Sequence, residues 1–147
     1  VHTKFAQGLS LVGALLSAPV LAGGGHHHGE GHMQVALDGA VLDVNLVLPK
    51  ADFGTIDPRG RQLLAAPSGQ CVARAIQMLD TDLGDGHADI TLAQTYDCAA
   101  PTSLSSIELS VFAWAPSLQE IELTYLSARH QVSQTVSDEQ PAVLLGD

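Results

Sequence analysis

From residue 32 to residue 49 the chain alternates. In "HMQVALDGAVLDVNLVLP", Met33, Val35 and Leu37 are apolar at every second position, and beyond Asp38-Gly39 so are Ala40, Leu42, Val44, Leu46 and Leu48. A period of two places these side chains on one face of extended backbone, which a helix cannot do. Two such runs around Asp-Gly predict a β-hairpin with a two-residue turn, because both residues tolerate the positive φ that tight hairpins require. With Leu37 opposite Ala40, His32 opposes Asn45, Gln34 opposes Asp43, and Asp43 is a diagonal neighbour of His32.

The rest of the chain reads the same way. Residues 50–70 contain prolines and glycines and hold no period, so they form an irregular connection with one helical turn expected around Gln62–Ala66. A strand is expected over Cys71–Leu79, followed by an acidic turn, "DTDLGDG", at 80–86. That segment departs from the calcium-loop pattern, since no Glu follows at the required position. "HADITLAQTYDC" predicts a strand with Ala88, Ile90, Leu92 and Tyr96 on one face and His87 and Asp89 on the other. Further strands are expected at Ile107–Ala115, Glu120–Ser127, Gln131–Val136 and Ala142–Leu145. Many short strands with no amphipathic helix of ordinary length predict an all-β fold, a single-domain antiparallel β-sandwich or partly open barrel.

At 147 residues the chain has room for one such domain. Its start, "VHTKFAQGLSLVGALLSAPVLA", carries Lys4, then an apolar run, then Val20-Leu21-Ala22. This is the layout of a secretory signal peptide cut after Ala22, and the run is too short to span a bilayer. Residues 1–22 are therefore expected to be a signal peptide, 23–32 a flexible His/Gly-rich metal-binding segment, and 33–147 the β-domain. Removing residues 1–22 deletes one lysine and no acid, taking the formal charge from −10 to −11. Such a surface repels nucleic acid and anionic membranes and attracts cations. In an oxidising compartment Cys71 and Cys98 read most simply as a disulfide.

With the thiols paired, histidine and carboxylate remain as ligands. "GGGHHHGEGH" holds His26, His27, His28, Glu30 and His32 within a glycine-rich stretch that can fold back on an ion. The alternative is a solubilising or pH-responsive spacer. A loose tail loses ordering entropy on binding, so a folded anchor would help, and His87 with Asp89 is the best internal candidate. His130, in "SARHQVSQ", reads as a surface residue. Imidazole and carboxylate without thiolate suit Zn2+, with Cu2+ or Ni2+ behind it; cleavage after Gly23 would expose Gly-Gly-His, which suits the latter two. No His-Glu-x-x-His, Gly-x-Ser-x-Gly or phosphate-cradling loop occurs, so no enzymatic activity is expected.

"HHHGEGHMQVALDGAVLDVNLVLP", "GHADITLAQTYDC" and "LSSIELSVFAWAPSLQEIELTYLSARHQ" together resemble the ZrgA-like family of Gram-negative periplasmic zinc-binding proteins, long classed as a domain of unknown function. The resemblance implies a periplasmic protein of zinc acquisition or handling. His26, His28 and His32 match its tail motif and His87 and Asp89 its central one. Residues 50–70 are shorter than the family's usual segment there, and His130 inherits no role. The expected function is zinc buffering, or delivery of Zn2+ to a zinc-uptake transporter component, by reversible coordination with which protons compete. The rival expectation is an exported interaction module of the cell envelope whose histidines only solvate the tail.

Overall fold

A computed structural model describes residues 27–146. The signal segment and its cleavage point, Gly23–Gly25 and His26 lie outside the described residues. Nine strands follow in chain order: β1 (Glu30–Asp38), β2 (Val41–Pro49), β3 (Cys71–Ala73), β4 (Gln77–Gly84), β5 (His87–Cys98), β6 (Ser106–Glu108), β7 (Glu120–Leu126), β8 (Gln131–Ser137) and β9 (Ala142–Leu144). A single helical turn, α1 (Lys50–Phe53), leaves the end of β2.

Seven strands form one sheet in the order β3-β5-β2-β1-β7-β8, with β4 also paired to β5 beside β3; β6 and β9 form a second, two-stranded sheet. The all-β expectation holds, and the main sheet stays open rather than closing into a barrel. Alternation determines its two faces. Met33, Val35, Leu42, Val44, Leu46, Leu48, Ile90, Leu92, Tyr96, Ile121, Leu123 and Tyr125 point to one side and are buried there. The layer that covers them is thin: the β6/β9 pair and the buried side chains of connecting chain, among them Leu63, Leu64, Leu104, Leu109, Val111 and Leu118.

The β1/β2 hairpin forms with a register two residues away from the expected one. Leu37 opposes Leu42, so His32 opposes Val47, Gln34 opposes Asn45 and Asp43 opposes Ala36. Both registers keep every apolar residue on the same face, so hydrophobic pattern cannot choose between them. The turn chooses. It consists of Gly39-Ala40, with Gly39 at φ +58° and Ala40 at negative φ, the type II′ pattern that asks for one glycine at the first central position. At the other hairpin, Asp85 (φ +53°) and Gly86 (φ +79°) both take positive φ and join β4 to β5, which is the type I′ pattern. The acidic stretch is thus a tight turn only at its last residues, because β4 runs on to Gly84. Every residue of β4 is exposed, so a strand there needs no alternation for the sequence to betray.

Two other segments differ from expectation. The helical turn sits at Lys50–Phe53, while residues 62–66 form no helix and Ala65 makes an isolated antiparallel bridge to Glu108. The Leu63 N–H donates to Gln94 Oε1 (2.8 Å), the Leu64 N–H to the Tyr96 hydroxyl (3.0 Å) and the Ala65 N–H to the Glu108 carbonyl (2.8 Å). The strand expected over Ile107–Ala115 ends at Glu108, and Ser110–Ala113 form a 3-10 turn. "VFAWA" is apolar without alternation, and Leu109 and Val111 are both buried. Within the sheet, β1 and β7 pair parallel, with Glu30 beside Glu120 and His32 beside Glu122. The intervening residues supply the long crossover that a parallel pair demands. A disulfide joins Cys71 and Cys98, which face each other across β3 and β5 with Cα atoms 3.9 Å apart.

Candidate metal site

The start of β1, the end of β2 with α1, and the β4/β5 turn come together at one end of the main sheet. Register enforces this, since Pro49 opposes Asp89 across β2 and β5, and β1 runs antiparallel to β2. His27–Gly29 therefore enter the sheet beside the residues that open β5. A hollow of about 240 Å³ lies there, lined by His28, Pro49, Lys50, Ala51 and the segment Gly86, His87, Ala88 and Asp89. Lys50 at its rim is engaged by Asp80 on β4, 2.6 Å away.

The tail is anchored where it meets the fold. Asp52 of α1 contacts it twice, Oδ1 lying 3.1 Å from His28 Nδ1 and Oδ2 accepting the Gly29 N–H at 2.8 Å. The Gly29 carbonyl accepts from Gln119 N–H and Glu120 N–H, at 2.8 and 3.0 Å. Gly29 itself takes φ +84°, and a Cβ there would stand 3.2 Å from the Ser117 carbonyl oxygen. The sequence suggested glycines that let the segment fold back freely; Gly29 instead lets the backbone pass close to the segment before β7, in a conformation other residues avoid.

The expected site residues fall into two groups. His28, His87 and Asp89 share the hollow. Glu30 and His32 lie in β1 on the outer face of the sheet, where His32 Nδ1 is 3.0 Å from Glu122 Oε2 and both side chains are exposed. The backbones of His32 and His87 are separated by two strand spacings and by the four residue steps from Thr91 to His87, roughly 16 Å at ordinary strand dimensions. Zinc–nitrogen bonds are about 2.0–2.1 Å long, so one ion cannot take both. Asp43, expected diagonal to His32, instead accepts a hydrogen bond from the Thr95 hydroxyl at 2.8 Å. His27 is exposed and its carbonyl accepts the Glu30 N–H at 3.2 Å. His130 sits at the opposite end, in the β7/β8 turn. The larger hollow there, about 340 Å³, is lined by Arg129 and His130 and, among the described residues, by no carboxylate. Among the described residues, no three His, Cys, Asp or Glu side chains stand close enough to hold one ion between them.

Sequence reading missed Asp52, Glu120 and Glu122. Asp52 carried no local signal, standing in a stretch without period. The two glutamates are alternate residues of an ordinary strand until β7 is laid beside β1.

A family model described as "ZrgA family zinc uptake protein" matches residues 64–145, more than half of the chain. The chain belongs to the ZrgA family. The matched span runs from the segment before β3 through β9, so it includes His87 and Asp89, whereas β1, β2 and α1 precede it. No curated protein matches the chain. Membership gives a zinc-related role, and the donors at the hollow, imidazole and carboxylate with both cysteines paired, have the chemistry that Zn2+ accepts.

Proposed function

We propose that this chain is a periplasmic protein that binds Zn2+ reversibly and either buffers it or passes it to a zinc-uptake transporter component, without catalysing a reaction. The observation that carries this reading is that His28, His87 and Asp89 border one hollow, at the point where the histidine-rich segment joins the fold of a zinc uptake family member. A folded pair on β5 supplies rigid ligands. His26 and His27, on the segment before β1, are the natural source of the remaining positions of a four-ligand shell. Glu30 and His32 on the outer face are secondary donors. The disulfide fits an oxidising compartment, and the acidic surface concentrates cations.

Calorimetric titration of the untagged protein from residue 23 onward with zinc chloride tests it. The expected result is one or more zinc ions bound. Replacing His26, His27, His28 and His32 together with Ala is expected to abolish most of the heat, and unchanged titrations would overturn the reading. The rival, an interaction module without metal, draws on the exposed edge strand β4, where Met78, Leu79 and Leu83 are 52%, 64% and 48% exposed and backbone groups are open to another strand. It predicts protein that comes out metal-free and shows no thermal shift with zinc.

A further inference from the structure

Asp52 stands out in this corner of the molecule. Its side chain is only 9% exposed, and a carboxylate withdrawn from water is costly unless its oxygens are well bonded. One oxygen is accounted for by the Gly29 N–H. The other is set against an imidazole that is itself 83% exposed and had water available instead. An ionised carboxylate has no proton to give, so its contact with His28 Nδ1 is a hydrogen bond only when Nδ1 carries the proton. In the neutral ring the lone pair then lies on Nε2, directed away from Asp52, and His28 is among the residues that line the hollow with His87 and Asp89.

We propose that Asp52 is a positioning residue that fixes His28 in its Nδ1–H tautomer and presents Nε2 as the metal-binding atom. Carboxylate–imidazole–zinc relays work in this way: the second ring nitrogen donates to a carboxylate, which orients the ring and raises its basicity. The zinc half of this inference rests on the function proposed above; the tautomer half does not. Asp52 also accounts for where the site begins. By holding Gly29 N–H and His28 Nδ1 with one carboxylate, α1 converts the last residues before β1 from tail into fold, so that one histidine of the cluster meets zinc already ordered.

A two-bond 1H–15N correlation spectrum of metal-free protein, at a pH where imidazole is neutral, reads the tautomer directly. His28 is expected as Nδ1–H, against the Nε2–H form that unrestrained histidine favours, and added zinc chloride is expected to shift its Nε2 resonance. An Nε2–H tautomer at His28 overturns the proposal whatever zinc does. Asp52→Asn retains the size of the side chain and is expected to weaken zinc binding about 10- to 100-fold, the usual effect of losing such a partner. The parent spectrum needs no variant to fold. An expected tautomer with unchanged zinc affinity in Asp52→Asn overturns the positioning role, reduces Asp52 to a latch and leaves the zinc reading standing. Absence of zinc binding by the parent protein overturns that reading and, with it, the metal role given to His28.

Discussion

Tyr96→Phe removes one oxygen from the centre of the molecule, and the structure says what that oxygen does. The Tyr96 hydroxyl accepts the Leu64 N–H at 3.0 Å, and its own proton is shared between the Leu64 carbonyl at 3.0 Å and Gln94 Oε1 at 2.7 Å. Gln94, 2% exposed, accepts the Leu63 N–H and donates to the carbonyls of Arg61 (3.1 Å) and Arg74 (2.7 Å). Two neighbouring side chains of β5 thus satisfy the backbone of two connections that have no strand partner of their own there. In Tyr96→Phe the ring still fills its space, Gln94 Oε1 keeps Leu63, and the Leu64 N–H is left without an acceptor beside a side chain that is 0% exposed. An orphaned buried donor costs about 1–3 kcal/mol. The variant is therefore expected to lose about 2 kcal/mol in urea unfolding, with the slope of the transition unchanged. A loss below about 0.5 kcal/mol would refute the reasoning, because it would mean that water or a relaxed loop serves Leu64 at no penalty.

The same residue makes the protein sensitive to alkali. Burial pushes the Tyr96 hydroxyl from 10.0 up to about 12, so the folded state holds its proton more tightly than the unfolded state. The associated stability is complete below pH 10 and is lost as pH rises from 10 to 12, by about 2–3 kcal/mol in all; Tyr96→Phe should flatten this part of the stability profile. Reduction of Cys71–Cys98, or replacement of both by Ser, is expected to cost about 3–4 kcal/mol for a loop closed over 27 residues, read as a lower urea midpoint. Gly69→Ala is expected to destabilise the oxidised protein, because a Cβ there would meet Cys71 Sγ at 2.8 Å and Leu104 Cδ1 at 3.1 Å; thermal melts equal to the parent's would show that the disulfide corner yields. His87→Ala is expected to weaken zinc binding by more than the ~10–100-fold that loss of a supporting hydrogen bond costs, and an unchanged isotherm would remove the hollow from the site.

What the sequence determined by itself is what a period of two can encode. It marked β5 from His87 to Cys98 at both ends, located β1, β2, β7 and β8 to within a few residues, and assigned their buried faces, because a side chain's face depends only on its parity along the strand. It also put His87 and Asp89 on the outward side of β5 and offered Cys71 and Cys98 as a pair. Parity says nothing about partners. Two hairpin registers preserve the same faces, and the turn decided between them, with Gly39 as its first central residue and Asp38 kept at negative φ in the strand. That β7 lies parallel to β1 and sets Glu122 against His32, that the β4/β5 turn brings His87 to the hollow beside His28, and that Asp52 reaches back 24 residues to hold it, are all contacts between segments distant in the chain. No local periodicity records them, since they arise only when the sheet orders its strands. The residue types were therefore legible in the sequence, while the tertiary structure alone decided which of them border one hollow, His28 with His87 and Asp89 at the end of the sheet, and which lies two strands away, His32 beside Glu122.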